Sequence, residues 1–81
     1  MKLELYSLKQ SVETWDNLTL ILIPTPTGER GFLKDHMEFI GEVEKGIMTF
    51  QDRNNKKQSY PVEKGYVRFY ENVCKVFILI T

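Results

Sequence analysis

From Lys2 to Ser7 apolar and polar side chains alternate, with Leu3 and Leu5 on one side and Lys2 and Glu4 on the other. A period of two is the mark of a half-buried strand. Val12 to Trp15 has the length of a further short strand, and Leu18 to Ile23 is nearly all apolar, as in a strand covered on both faces. Pro24-Thr25-Pro26-Thr27-Gly28 then predicts a turn, because two prolines remove ladder donors and Gly28 permits a positive φ. Ile47 to Gln51 predicts a strand, the polar run Asp52 to Lys57 a hairpin loop, and Gln58 to Val62 the return strand, which Pro61 assigns to a sheet edge. Gly65 to Tyr70 sets Val67 and Phe69 opposite Tyr66, Arg68 and Tyr70, and Glu71-Asn72 has the length and type of a two-residue turn. The last strand, Val73 to Ile80, places Cys74, Val76, Ile78 and Ile80 on one face and Val73, Lys75, Phe77 and Leu79 on the other, both needing cover.

The stretch between these strands reads two ways. Phe32, Leu33, His36, Phe39, Ile40 and Val43 satisfy helical spacing, with Gly46 available to follow a helix C-terminus. Against a helix stand Gly41 in its middle and the alternation of Glu38, Glu42 and Glu44 with Phe39 and Val43. Short strands parted by turn clusters predict an all-β fold, a flattened β-barrel or β-sandwich of roughly eight to ten short, mostly antiparallel strands. Residues 1–81 are expected to form one domain, since no linker, repeat or low-complexity tract interrupts them. Burial of Phe39 and Phe77 in its core would make removal of either ring cost ~3–5 kcal/mol.

Composition narrows the partners. Eleven basic residues balance eleven acidic ones, so no global field draws the chain to nucleic acid or anionic lipid. No apolar run approaches the ~20 residues of a membrane helix, and Met1-Lys2-Leu3-Glu4-Leu5 lacks the pattern of a cleaved secretory signal. The one cysteine, Cys74, cannot form an intramolecular disulfide and has no companion ligands for zinc, so it is expected as a small core residue.

Candidate chemistry is sparse. His36, the only histidine, has no nucleophile or metal-ligand companion and is expected to hydrogen-bond backbone from a loop or to lie at an interface. Glu38, Glu42 and Glu44 read as a solvated strand face rather than a cation site. Gly28-Glu29-Arg30-Gly31 lacks the spacing of a phosphate loop, and its glycines are expected to shape a turn. Arg53, Lys56 and Lys57 fit a solvated hairpin tip. Tyr66, Arg68 and Tyr70 support an alternative, a small oligonucleotide-binding β-barrel that takes single strands on an aromatic sheet, against which the neutral charge balance weighs. No catalytic residue, cofactor or metal is expected.

The run from Gly28 to Gly46 holds a Gly-acidic-x-Gly element, two apolar residues, a short loop with His36, an extended apolar stretch and a closing glycine. In this it resembles a segment of the ε subunit of F-type ATP synthases. The rest follows in register: Lys2 to Ser7 is similar to that family's opening strand, Leu18 to Pro24 to the strand before the turn, Lys64-Gly65-Tyr66-Val67 to its Gly-Gly-apolar-apolar element and Val73 to Leu79 to its final strand. There are departures. Lys34-Asp35 stands where the family usually has Pro-Gly, Met37-Glu38 replaces Ala-Pro, Lys45 replaces Pro or Ser, and Lys64 replaces the first glycine of the pair.

The resemblance implies a strand rather than a helix between Phe32 and Val43. It also implies a non-catalytic subunit of the central rotor stalk, a β-sandwich seated between the ATP synthase γ subunit and the polar loops of the c-ring, coupling ion transport to ATP synthesis. Carried over by residue, Glu29 and Arg30, at the tip of the Gly28 to Gly31 turn, would face the c-ring loops, while Ser7, His36 and Gly41 would lie on or near the γ-facing side. Such a subunit is peripheral on the cytoplasmic face of the inner (plasma) membrane and is not inserted in it. The family's C-terminal helical pair has no counterpart in these residues, so neither ATP binding nor an inhibitory helical arm is expected.

Overall fold

A computed structural model describes residues 1–8 and 12–79, all of it strand, turn and loop. The strands are β1 (Lys2–Ser7), β2 (Glu13–Trp15), β3 (Leu18–Thr25), β4 (Gly28–Phe32), β5 (Phe39–Val43), β6 (Gly46–Asp52), β7 (Lys57–Val62), β8 (Gly65–Tyr70) and β9 (Val73–Ile78). They form two sheets of a sandwich, one ordered β2-β1-β9-β8-β5 and the other β4-β3-β6-β7. All pairs are antiparallel except β1 with β9. The all-β, mostly antiparallel sandwich expected from the alternation is what the chain forms, and it is not the small closed barrel of the nucleic-acid alternative. Ile80, expected to extend the last strand, lies outside the described residues.

The core is built by inward-facing alternate residues of both sheets. Leu3 and Leu5 from β1, Val67 and Phe69 from β8, and Cys74, Val76 and Ile78 from β9 meet Ile21, Ile23, Phe32, Met48, Phe50 and Val62 from the facing sheet. Phe32 and Phe69 stack across the layers with ring centroids 5.1 Å apart. Trp15 closes the β2 edge against Phe50 at 4.7 Å and Tyr60 at 5.4 Å. A hydrogen bond to Glu13 raises the Tyr60 phenol above its ordinary value.

The stretch read two ways is a strand interrupted by a loop, not a helix. Phe32 ends β4, residues 33–38 turn the chain, and Phe39 opens β5 in the other sheet. Pro24 does not end its strand. β3 runs on to Thr25, which pairs with Gly28, and the turn is only Pro26-Thr27. Pro24 lies beyond the last β3–β6 pair, Leu22 with Thr49, so its missing N–H interrupts no ladder there. Gly28, at φ 117°, is the glycine that this hairpin requires. Gly31 is an ordinary strand residue opposite Leu22.

Phe77 is not a core residue. It sits on the outer face of the five-stranded sheet, 38% exposed, stacked on Tyr6 at 4.9 Å. Phe39 is half-buried against the core rather than within it. Both belong to strands with apolar residues on two faces, where alternation alone does not say which face is inward. Pro61 does lie on an edge strand, β7, opposite Ile47. Glu71 and Asn72 have φ of 49° and 62°, so β8 and β9 are joined by a two-residue turn with both central residues left-handed.

Cys74 is buried, and burial alone pushes its thiol up to about 12. At pH 8 about one molecule in ten thousand would then carry the reactive thiolate. An aromatic disulfide reagent is therefore expected to label the native chain at a rate orders of magnitude below that of the urea-unfolded chain. Equal rates would contradict the placement of Cys74 in the core.

Candidate docking surfaces

Glu29 and Arg30 are on strand β4 and not at the tip of a turn, since the turn itself is Pro26-Thr27. They pair with Pro24 and Ile23 respectively. Successive strand residues point to opposite faces, so Glu29 emerges on the outer side of the four-stranded sheet while Arg30 turns toward the neighbouring layer. There the Arg30 guanidinium lies 4.1 Å from the centre of the Phe39 ring. Both side chains are exposed at a sheet edge.

His36 is in the loop between β4 and β5 and is half-buried. Its Nδ1 lies 2.6 Å from the Met37 carbonyl oxygen, which the N–H tautomer at that atom satisfies. Its ring stands edge-on to Phe32 at 5.0 Å and Phe69 at 5.6 Å, closing one end of the core. The expected loop histidine with a backbone partner is present, and its ring is turned into the protein.

Gly41 lies on edge strand β5 opposite Val67, on the inward side. A Cβ there would stand 2.6 Å from the Phe39 ring, so the missing side chain is what lets Phe39 fold over it and reach Arg30. Ser7 ends β1 opposite Ile78, and three strand steps separate β1 from β5. At ~4.8 Å per step this leaves Ser7 and Gly41 about 15 Å apart. His36 lies toward the Asn72 end, away from Ser7. The structure brings Arg30 and Gly41 together through Phe39, but it does not gather Ser7, His36 and Gly41 into one cluster.

Two groupings are set by the fold and not by the pattern along the chain. The outer face of the five-stranded sheet carries Tyr6, Tyr66, Phe77 and Leu79, with a shallow apolar cleft formed by Tyr6, Ser7, Leu8, Phe77 and Leu79. On the same face Tyr6 donates to Glu4 at 2.8 Å, holding that carboxyl below its ordinary value, while Lys2 and Lys75 approach the same carboxylate at 3.5 and 3.9 Å. Tyr66, Arg68 and Tyr70 share this face too, but Arg68 is occupied by Glu38 at 3.3 Å. The second feature is a paired contact between Asp35 and Asn72. No sequence signal joins residues so far apart.

Among the described residues no group of His, Cys, Asp or Glu could hold a metal ion, and no helix is long and apolar enough to cross a membrane. The arrangement offers shaped faces, exposed charges and a stiff core. That chemistry suits packing against other proteins.

Known proteins share this fold. The chain is 31% identical over 75 residues to the ATP synthase epsilon chain of Pelagibacter ubique, covering 93% of this chain and 57% of that one. Its fold matches a chain of the Euglena gracilis mitochondrial ATP synthase assembly of OSCP, F1 and c-ring, with a TM-score of 0.80 at 22% identity over 95% of this chain and 49% of that one. It also matches a chain of the Tetrahymena thermophila mitochondrial ATP synthase central stalk and c-ring, with a TM-score of 0.73 at 12% identity over 95% of this chain and 61% of that one. The chain thus spans about half to three-fifths of the length of these relatives. Residues 1–79 match the family described as ATP synthase, Delta/Epsilon chain, beta-sandwich domain, and to that family the chain belongs.

Proposed function

We propose that residues 1–81 form one ε-type β-sandwich unit acting as a non-catalytic subunit of the central rotor stalk of an F-type ATP synthase. It bridges the γ subunit and the polar loops of the c-ring, so that ring and stalk turn together and ion transport is coupled to ATP synthesis. Its place is peripheral, on the cytoplasmic face of the membrane, and it takes no part in binding nucleic acid. The observation that carries this reading is the match of residues 1–79, nearly the whole chain, to the family. Torque transfer needs stiff multi-point contact and no reactive group, and a close-packed sandwich core supplies that stiffness.

In this reading Glu29 and Arg30 face the c-ring loops, and Ser7, His36 and Gly41 lie on or near the γ side. The separation of these last three means that γ contact is spread along the domain. Glu29 reads the ring by charge. Arg30 does so from a position fixed by its stacking on Phe39.

Reversing both charges, Glu29→Lys with Arg30→Glu, tests this. Assembly with a c-ring and γ preparation is expected to fall by about tenfold or more. The isolated variant should melt within a few degrees of the parent, since the loss is an exposed cation–π contact worth ~0.5–1 kcal/mol. Normal assembly of the double variant would remove the c-ring contact from the proposal.

A further inference from the structure

The glycine at position 41 serves no need of its own backbone. Among the described residues the positive-φ glycine is Gly28, while Gly41 is an ordinary strand residue of β5 paired with Val67. A glycine there forgoes side-chain packing and weakens an edge strand. What it admits is a ring. A Cβ at Gly41 would stand 2.6 Å from Phe39 Cζ and 2.7 Å from Phe39 Cε2, so the end of that ring occupies the place of the missing side chain.

The Phe39 ring in turn engages two groups. It packs on Phe32 at 5.6 Å, at the margin of the core, and the Arg30 guanidinium stands over it at 4.1 Å. Arg30 comes from β4 and Phe39 from β5, edge strands of different sheets. One side of the sandwich is thus closed by an exposed cation on a ring, whereas the other is closed by Trp15 against Phe50 and Tyr60. Among the described residues Arg30 has no ion-pair partner, which leaves the ring to hold it.

The group that a side chain at position 41 would meet is the far end of another side chain, not backbone. A phenyl ring can turn to another rotamer. Alanine at position 41 therefore displaces the ring and not the sheet, and a displaced ring releases Arg30. A released arginine must be ordered again when it binds, a loss of rotamer freedom that a stacked arginine has already met. Arg30 is in this way preorganised by two residues, neither of which needs to touch a partner.

We propose that Phe39 and Gly41 are positioning residues of Arg30, holding its guanidinium ready for the polar loops of the c-ring. Phe39 supplies the platform and Gly41 the room for it. This rests on the rotor-stalk reading and gives Gly41 a part in the ring-facing site, beside its place near the γ side.

Variants of the full chain test it through two readouts, the side-chain proton resonances of Arg30 and the affinity for a c-ring and γ preparation. In the parent the ring current of Phe39 should hold the Arg30 resonances upfield of those of free arginine. Gly41→Ala and Phe39→Leu are each expected to stay folded, melting within about 10 °C of the parent. Each should return the Arg30 resonances to the free position and weaken association about threefold to tenfold. Gly41→Ala made in an Arg30→Ala background should weaken association no further, because a residue that acts through another adds nothing once that other is gone. Unmoved Arg30 resonances in Gly41→Ala overturn the positioning role, and unchanged affinity in Phe39→Leu overturns the bearing of that role on docking. A further loss in the Arg30→Ala background makes Gly41 a contact in its own right and overturns its action through Arg30. A parent chain that does not associate removes the docking role together with the rotor-stalk reading, whereas the resonances still decide whether Phe39 and Gly41 position Arg30.

Discussion

Replacement of Gly65 by alanine is expected to destabilise the domain by about 3 kcal/mol or more, a quarter or more of the total stability of a domain of this size. Gly65 opens β8 opposite Ile78 and is fully enclosed. A Cβ there would overlap the backbone carbonyl oxygen of Phe77 and crowd Ile78 Cα at 3.0 Å. Backbone atoms cannot rotate aside as a side chain does. Relief would require β8 and β9 to part where Leu79 N–H bonds the Lys64 carbonyl at 3.0 Å. A domain of this size has a typical stability of only ~4–12 kcal/mol. Urea unfolding followed by the fluorescence of the one tryptophan, Trp15, gives the comparison. Gly28→Ala is the control, since its added Cβ meets nothing and it bears only the strain of φ 117°. A Gly65→Ala midpoint at or above that of Gly28→Ala would contradict the close approach.

Phe69→Ala should cost ~3–5 kcal/mol, whereas Phe77→Ala should cost ~1 kcal/mol or less. Phe69 is wholly buried on a central strand, stacked on Phe32 and capped by the edge of His36. Its loss leaves a void bounded by both sheets. Phe77 covers Tyr6 on the outer face and loses mainly that contact. Equal loss in the isolated chain, or a larger one for Phe77, would mean that the sheet faces are assigned the wrong way round.

The strands were largely legible because alternation is set by local geometry. Lys2–Ser7, Gly65–Tyr70 and the edge position of Pro61 follow from period and proline chemistry alone. Legibility failed where both faces of a strand carry apolar groups. Phe77 and Val76 differ only in which sheet face becomes the interior, and the partner sheet decides that. It failed again at Pro24, where the cost of a missing donor depends on whether a neighbour needs it. Gly28 and Gly31 looked alike in sequence, yet one needs its positive φ and the other is plain strand.

The candidate surfaces were legible as residues but not as geometry. The resemblance points to Glu29 and Arg30, but their opposite facing and the stacking of Arg30 on Phe39 depend on the strand continuing through the glycine pair. The Asp35–Asn72 latch joins a loop and a turn 37 residues apart. Each residue taken singly reads only as a turn former.

Reconstitution of the full chain with γ and a c-ring lacking their own ε subunit tests the central claim most directly. The proposal predicts a stable ternary complex and recovery of ion-driven ATP synthesis once the catalytic sector is added, both reduced when Glu29 and Arg30 are reversed. Failure of the folded chain to associate with either γ or the c-ring would contradict it.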